Sequence, residues 1–205
     1  MSGRRERRAA RTRADIEEVA LSLFTEHGFE ATTVERIAEA ADISPRTFFR
    51  HFPSKEAVLF GDLRREMARV REILGSRPPD EHPLRSLTVA TLDVTDRMEP
   101  DRAQHRMRAE LLNARHNSVD YELHLLRQQW VQELAELVAE RLDVDAATDA
   151  RPNAWSMTLG CCFGSAMHAW LTRTDGTPLR ELFTEMLDET ARGLGQAAQV
   201  AVSAR

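Results

Sequence analysis

Arg46 and Arg50 stand four residues apart in the stretch Ser44-Pro-Arg-Thr-Phe-Phe-Arg-His51, and on a helix that spacing puts both on one face. Guanidinium groups so arranged bond phosphate oxygens or the O6 and N7 edge of a guanine. They recognise; they do not make or break bonds. Thr33, Thr47, His51 and Lys55 add hydrogen-bonding groups nearby. Residue types able to do covalent chemistry occur without a working pattern. No serine, histidine and acid fall into a hydrolase motif, no glycine-rich loop could cradle a phosphate, and no His-Glu-x-x-His occurs. Cys161 and Cys162 are adjacent, which matches neither a disulfide framework nor the Cys-x-x-Cys spacing of metal and redox sites. The chain is therefore expected to bind rather than catalyse, with no cofactor and no metal.

Short helices must position these groups. Ile16, Val19, Ala20, Leu23 and Phe24 recur at helical spacing, with Thr12 and Asp15 as a capping pair at the start and Gly28 at the end. Val34, Ile37, Ala38 and Ala41 form a second, two-turn stripe, entered through Thr32-x-x-Glu35 or through Thr33 as the cap. Ser44 followed by Pro45 is a cap residue and then the one helical position where proline's missing N–H costs nothing, so a third helix runs from Pro45 to about Phe52. Two such helices joined by the tight Ala41–Ser44 turn have the dimensions of a helix-turn-helix. Phe48 and Phe52, four apart, face inward, which turns Arg46, Thr47, Phe49, Arg50 and His51 outward or to the flanks.

Beyond this region the spacing predicts helices only: one capped by Ser54 and running to Leu74, then 83–98, 101–116, 118–142, 153–173 and 179–196. The fold class is all-α. A helix-turn-helix DNA-binding domain over 1–54, with a basic arm over 1–11, is expected to precede a larger helical domain over 55–205. The net charge of −5 is unevenly distributed: residues 1–55 carry +1, the rest −6, and Arg4, Arg5, Arg7, Arg8, Arg11 and Arg13 face only Glu6. That arm is either a solvated tail or a segment that lies along phosphates. The apolar run Leu159 to Leu171 is shorter than the ~20 residues a membrane span needs, and no secretory signal is visible, so a cytoplasmic protein with no membrane partner is expected.

The residues Thr32–Val34, Ile37–Ala38 and Ile43-Ser-Pro-Arg-Thr-Phe-Phe-Arg-His-Phe-Pro-Ser-Lys-Glu-Ala57 resemble the DNA-binding signature of the TetR family of bacterial transcriptional regulators, over about residues 12–60. The resemblance implies that Arg46 and Arg50 reach base edges or phosphates, that Thr33 and Lys55 bond phosphates from the starts of their helices, and that His51 flanks the backbone. The family usually has tyrosine where this chain has Phe49; a phenylalanine there either packs or touches a thymine methyl or a sugar.

The family also implies a homodimer built by the last two helices. Phe163, Met167 and Trp170 in one, and Leu182, Phe183, Met186, Leu187 and Leu194 in the other, form stripes suited to a two-fold interface. The middle helices would enclose an effector, with Leu92, Met107, Leu111, Tyr121, Leu126 and Trp130 as wall residues, though each reads first as ordinary core, and with Arg108 and Arg115 among the polar groups that could orient a ligand. Arg106 to Leu112, Trp130 with Glu133–Leu134, Arg141–Leu142 and Trp170–Leu171 are more loosely similar to the mycofactocin-type regulators that respond to acyl-coenzyme A. Together these imply a repressor that binds a pseudo-palindromic operator in double-stranded DNA and is released by a small, largely apolar effector. A ligand-independent architectural DNA-binding protein is the alternative.

Overall fold

A computed structural model describes residues 2–113 and 117–203; at 2–7, 61–65, 113, 117–124, 127, 198 and 200–203 it describes the backbone alone. Among the described residues there are only helices: α1 (Ser2–His27), α2 (Val34–Ala40), α3 (Pro45–His51), α4 (Glu56–Leu59), α5 (Gly61–Ser76), α6 (Pro83–Met98), α7 (Arg102–Asn113), α8 (Asn117–Leu142), α9 (Ala150–Thr172) and α10 (Leu179–Ser203), with a 3-10 turn at Glu99–Asp101 before α7. The chain divides into two units, Met1–Arg65 with Ala103–Leu125, and Glu66–Arg102 with Leu126–Arg205. Helix α7 thus groups with the N-terminal helices.

In the first unit α1 packs on α2 and α4, and α2 on α3. Ile16, Ala20, Phe24, Ile37, Phe48 and Phe52 are buried to 1% exposure or less, so the predicted stripes are the ones that close the core. The helix ends follow local chemistry. Gly28 takes a positive φ of 83° where the chain leaves α1, and its N–H closes on the Phe24 carbonyl. Thr33 rather than Thr32 caps α2, its hydroxyl accepting from the Arg36 N–H. Thr32 is buried and turns back to donate to the Gly28 carbonyl at 2.8 Å. After α2 Asp42 adopts the left-handed conformation (φ 53°), which an aspartate tolerates better than most side chains, and the Ile43 N–H returns to the Ala38 carbonyl at 2.9 Å. That tight reversal, followed by Ser44 capping the Thr47 N–H at 3.1 Å and Pro45 in the first turn, aims α3 away from α2.

Two expected boundaries are corrected. Thr12 does not start α1: the helix already runs from Ser2, and the Thr12 hydroxyl donates to the Arg8 carbonyl at 3.0 Å. The expected arm is continuous with that helix. The helix predicted from Ser54 to Leu74 breaks at Phe60 (φ −106°, ψ 6°). Ala57, Val58, Leu59 and Phe60 are all buried, and one straight helix cannot turn four consecutive side chains to a one-sided core. Lys55 rather than Ser54 stands at the cap position of α4, and the Ser54 hydroxyl accepts from the Ala57 N–H one turn in.

The second unit is built on α9 and α10, which pack on each other and on α6. Met67, Val70 and Leu74 of α5, Leu87 and Val94 of α6, Leu134 and Val138 of α8, Leu159 and Trp170 of α9, and Leu179, Leu182 and Phe183 of α10 share one core. Polar groups pin the α9–α10 reversal. The Arg102 guanidinium donates to the Trp170 and Arg173 carbonyls, while the Glu99 carboxylate accepts from the Trp170 indole N–H and the Leu179 N–H.

This core corrects part of the expected dimer face. Trp170 and Phe183 are 0% exposed and Leu182 2% within the single chain, so they have no surface to offer a partner. Phe163, Met167, Met186 and Leu187 are partly buried against the same core. Of the eight expected interface residues Leu194 is the one in the open, at 57% exposure, and Met157 on α9, not anticipated, is 50% exposed.

Candidate nucleic-acid interface

Helix α3 is buried on one side by Phe48 and presents Arg46, Phe49 and Arg50 on the other, at i, i+3 and i+4. Phe49 is 53% exposed, its ring meeting that of Phe48 edge-on at 5.6 Å. Half of that ring is held and half is open, which suits apolar contact with a thymine methyl better than core packing. Thr47 lies at the entry of α3, its hydroxyl 3.0 Å from that of Ser44. Thr33 is exposed at the start of α2; its oxygen accepts the Arg36 N–H, so its own proton remains able to meet a phosphate.

Two of the expected contacts have other work in the structure. The Lys55 ammonium donates to the carbonyls of Phe29 (2.8 Å) and Thr32 (3.3 Å) and lies 4.4 Å from the Phe29 ring centroid. It ties α4 to the turn between α1 and α2. His51, the last residue of α3, is half-buried, with Nε2 enclosed and lacking a hydrogen-bond partner. Burial, followed by the charges of Arg50 and Arg13, pushes its pKa below the ordinary histidine value. The ring is therefore held in its neutral form more strongly than a free histidine.

Sequence reasoning missed the group that holds α3 from behind. Arg13, counted there with the basic arm, donates from Nη1 to the His51 carbonyl and lies 3.9 Å over the Phe52 ring. Its Nε is 3.3 Å from Glu17 Oε1, and Glu17 is only 3% exposed. A signal existed: Arg13 and Glu17 are four apart, and Glu17 shares the apolar arc of Ile16, Ala20, Leu21 and Phe24, where an acid needs a buried counter-charge.

The expected effector-wall residues fall in separate units. Met107, Arg108 and Leu111 belong to the first unit, Leu92, Leu126 and Trp130 to the second; Arg115 and the side chain of Tyr121 lie outside the described residues. Arg108 is 4% exposed, and its Nη2 lies 3.4 Å from Glu17 Oε2. Met107 lines a groove of about 340 Å³ with Glu18, Leu21, Thr25 and Gln104. Leu92 and Trp130 pack on the second core. The Trp130 ring stands edge-on to Phe163 at 6.2 Å, and its indole N–H is enclosed with no hydrogen-bond partner.

Comparison with known proteins decides what carries this helix pair. Residues 16–60 match the family model of bacterial regulatory proteins of the tetR family, and residues 81–195 match that of the MftR C-terminal domain. The chain belongs to the TetR family. It is a transcriptional regulator with an MftR-type C-terminal domain, and the family is not one of enzymes. This TetR-family chain is 30% identical over 195 residues to the regulator MftR of Mycobacterium tuberculosis, named for mycofactocin biosynthesis, covering 94% of this chain and 96% of that one. It is 36% identical over 156 residues to the HTH-type transcriptional regulator TcmR of Streptomyces glaucescens, covering 73% and 69%. Among solved structures, a complex of SmeT with triclosan matches with a TM-score of 0.62 at 18% identity, covering 89% of this chain and 90% of that one. The repressor FadR of Thermus thermophilus, in complex with lauroyl-CoA, matches with a TM-score of 0.50 at 24% identity, covering 86% and 91%. At those identities the solved structures establish the TetR-like fold and nothing finer. Among the described residues no helix is long and apolar enough to cross a membrane.

Proposed function

We propose that this regulator is a homodimeric repressor. It reads a pseudo-palindromic operator through Thr33, Arg46, Thr47, Phe49 and Arg50, and a largely apolar effector releases it. The observation that carries the reading is the face of α3, where Arg46, Phe49 and Arg50 stand exposed together while Phe48 fixes the helix from below. Arginines on such a face deliver paired hydrogen bonds to guanine or to phosphate, and the half-exposed phenyl ring adds a shape contact. Two copies of one short reader are needed because a single half-site offers few base contacts. A two-fold dimer would present two readers one helical turn, or a multiple of it, apart.

For the effector, the match of residues 81–195 to the MftR-type domain supports a long-chain acyl thioester. The apolar side chains packed around Trp130 in the second unit, with its enclosed indole N–H lacking a hydrogen-bond partner, suit a chain with a polar group along it.

The test begins with a fragment enriched by the protein from random-sequence duplex DNA. Arg50→Ala should weaken binding to that fragment by about 1–3 kcal/mol while leaving random DNA nearly unaffected; equal losses on both would make Arg50 a phosphate contact. Palmitoyl-coenzyme A should release the fragment in a gel-shift assay and free coenzyme A should not, because the chain supplies the apolar contacts. Release by an apolar cation, with no response to any acyl thioester, would sink the acyl reading and leave the repressor. A thermal-shift screen with no stabilising metabolite would favour a ligand-independent DNA-binding protein, since a ligand of the folded state must raise its melting temperature.

A further inference from the structure

We propose that Arg108, on α7 and remote in sequence from the reader, is a positioning residue for the recognition helix, acting through Glu17 and Arg13. The inference rests on the DNA-reading role of α3 proposed above. Glu17 is 3% exposed and carries a guanidinium on each carboxylate oxygen: Arg13 Nε at 3.3 Å from Oε1, and Arg108 Nη2 at 3.4 Å from Oε2. Arg13 extends past this pair to donate to the His51 carbonyl and to stack on the Phe52 ring. These are the last residue of α3 and its C-cap.

The arrangement has a direct physical meaning. Carbonyls in the last turn of a helix have no intrahelical donor, and a cation placed there satisfies one and complements the helix dipole. The guanidinium is planar, with donors fixed in a fork, so contact with a carboxylate, a carbonyl and an aromatic face at once leaves it little freedom. Its orientation then sets how α3 sits on α1. Glu17 fixes that orientation only while its own carboxylate is held, and Arg108 is one of the groups that hold it. Without Arg108, a nearly enclosed carboxylate would lose one of the guanidinium groups that hold it, a costly change that drives the acid and Arg13 to rearrange together. All three residues lie in the same structural unit, so the reading unit includes α7, outside the residues 16–60 matched by the DNA-binding family model.

A double-mutant cycle on the full-length protein tests this. Binding of the enriched fragment is measured by fluorescence anisotropy at 10 °C, with circular dichroism confirming helicity. Arg108→Gln should raise Kd about five- to tenfold although the residue touches no DNA, Arg13→Gln should do the same, and the double variant should bind no worse than Arg13→Gln alone. Arg108→Lys, which keeps Glu17 neutralised, should restore Kd to within about threefold of wild type. Should Arg108→Gln melt below the assay temperature, the cycle is run with the two lysine variants, whose smaller losses must again be non-additive. Additive losses, or a wild-type Kd in Arg108→Gln with only the melting temperature reduced, would overturn the proposal by making the pair a plain structural contact. If the wild-type protein enriches no sequence, the DNA-reading role itself fails and this inference falls with it.

Discussion

The Lys55 ammonium is held by Phe29 twice over, by a 2.8 Å hydrogen bond to its carbonyl and from 4.4 Å across its ring. With the Thr32 carbonyl as a second acceptor, Lys55 closes the turn that delivers Thr33 to the start of α2. The side chain is 19% exposed, so these contacts are shielded from solvent more than those of an ordinary surface lysine.

Lys55→Met keeps the aliphatic stem and removes the charge. It should lower stability by about 1.5–3 kcal/mol, the range for hydrogen bonds to a charged group, in a denaturant titration. The salt dependence of DNA binding should keep its wild-type slope. A fall of about one unit would instead show the ammonium leaving its carbonyls for a phosphate in the complex, the role that the family resemblance implies.

Gly164 on α9 separates the two ways of covering a helix face. A Cβ added there meets nothing within 4 Å in the single chain, and alanine or leucine in a helix is favoured over glycine by up to about 1 kcal/mol. Gly164→Leu should therefore fold at least as well as wild type, yet weaken a dimer whose partner helix lies against that face, seen as a lower mass in light scattering. Phe183→Asp should behave in the opposite way. It places a charge in the protomer core at a cost of roughly 3–5 kcal/mol or more and should unfold the chain rather than split a dimer. A Gly164→Leu protein that remains a tight dimer would move the interface off α9.

Glu81, in the connection between α5 and α6, accepts hydrogen bonds from Arg77 and Ser86. The Arg77 guanidinium first, and the Ser86 hydroxyl second, pull its pKa from 4.5 down to about 2. A carboxylate whose folded pKa is depressed stabilises the fold above its unfolded pKa and loses that contribution as pH falls toward the folded value. Glu81→Gln should consequently melt below wild type at pH 7, with the gap closing between about pH 4.5 and 2. A gap independent of pH would mean that shape rather than charge holds the connection.

The reader was legible in the sequence because its signals are local. Ser44 before Pro45, Phe48 four residues from Phe52, and a cap at Thr32 or Thr33 each report on a few neighbouring residues, and local spacing determines which face of a short helix is apolar. Other features depend on what lies across the fold. Trp170, Leu182 and Phe183 belong to strong stripes, but a stripe does not record whether its own chain or a second copy covers it. Arg108 and Glu17 are 91 residues apart, and neither position alone discloses the pairing, although an acid on the apolar arc of α1 does carry a demand for some cation. The break at Phe60 arises because four successive residues are drawn into one core, a demand that periodicity cannot register.

The three tryptophans, Trp130, Trp155 and Trp170, all lie in the second unit, and none lies in the unit that carries α3. Emission excited at the indole band therefore views one half of the molecule: quenching or a wavelength shift on titrating a metabolite would report the environment of α8 and α9 with no background from the DNA-reading helices. Far-ultraviolet dichroism, by contrast, sums over every helix. Followed together through a denaturation, the two signals would coincide if the units unfold as one cooperative block and separate if the reader melts first, so the distribution of a single residue type makes the coupling between the two halves measurable without any label.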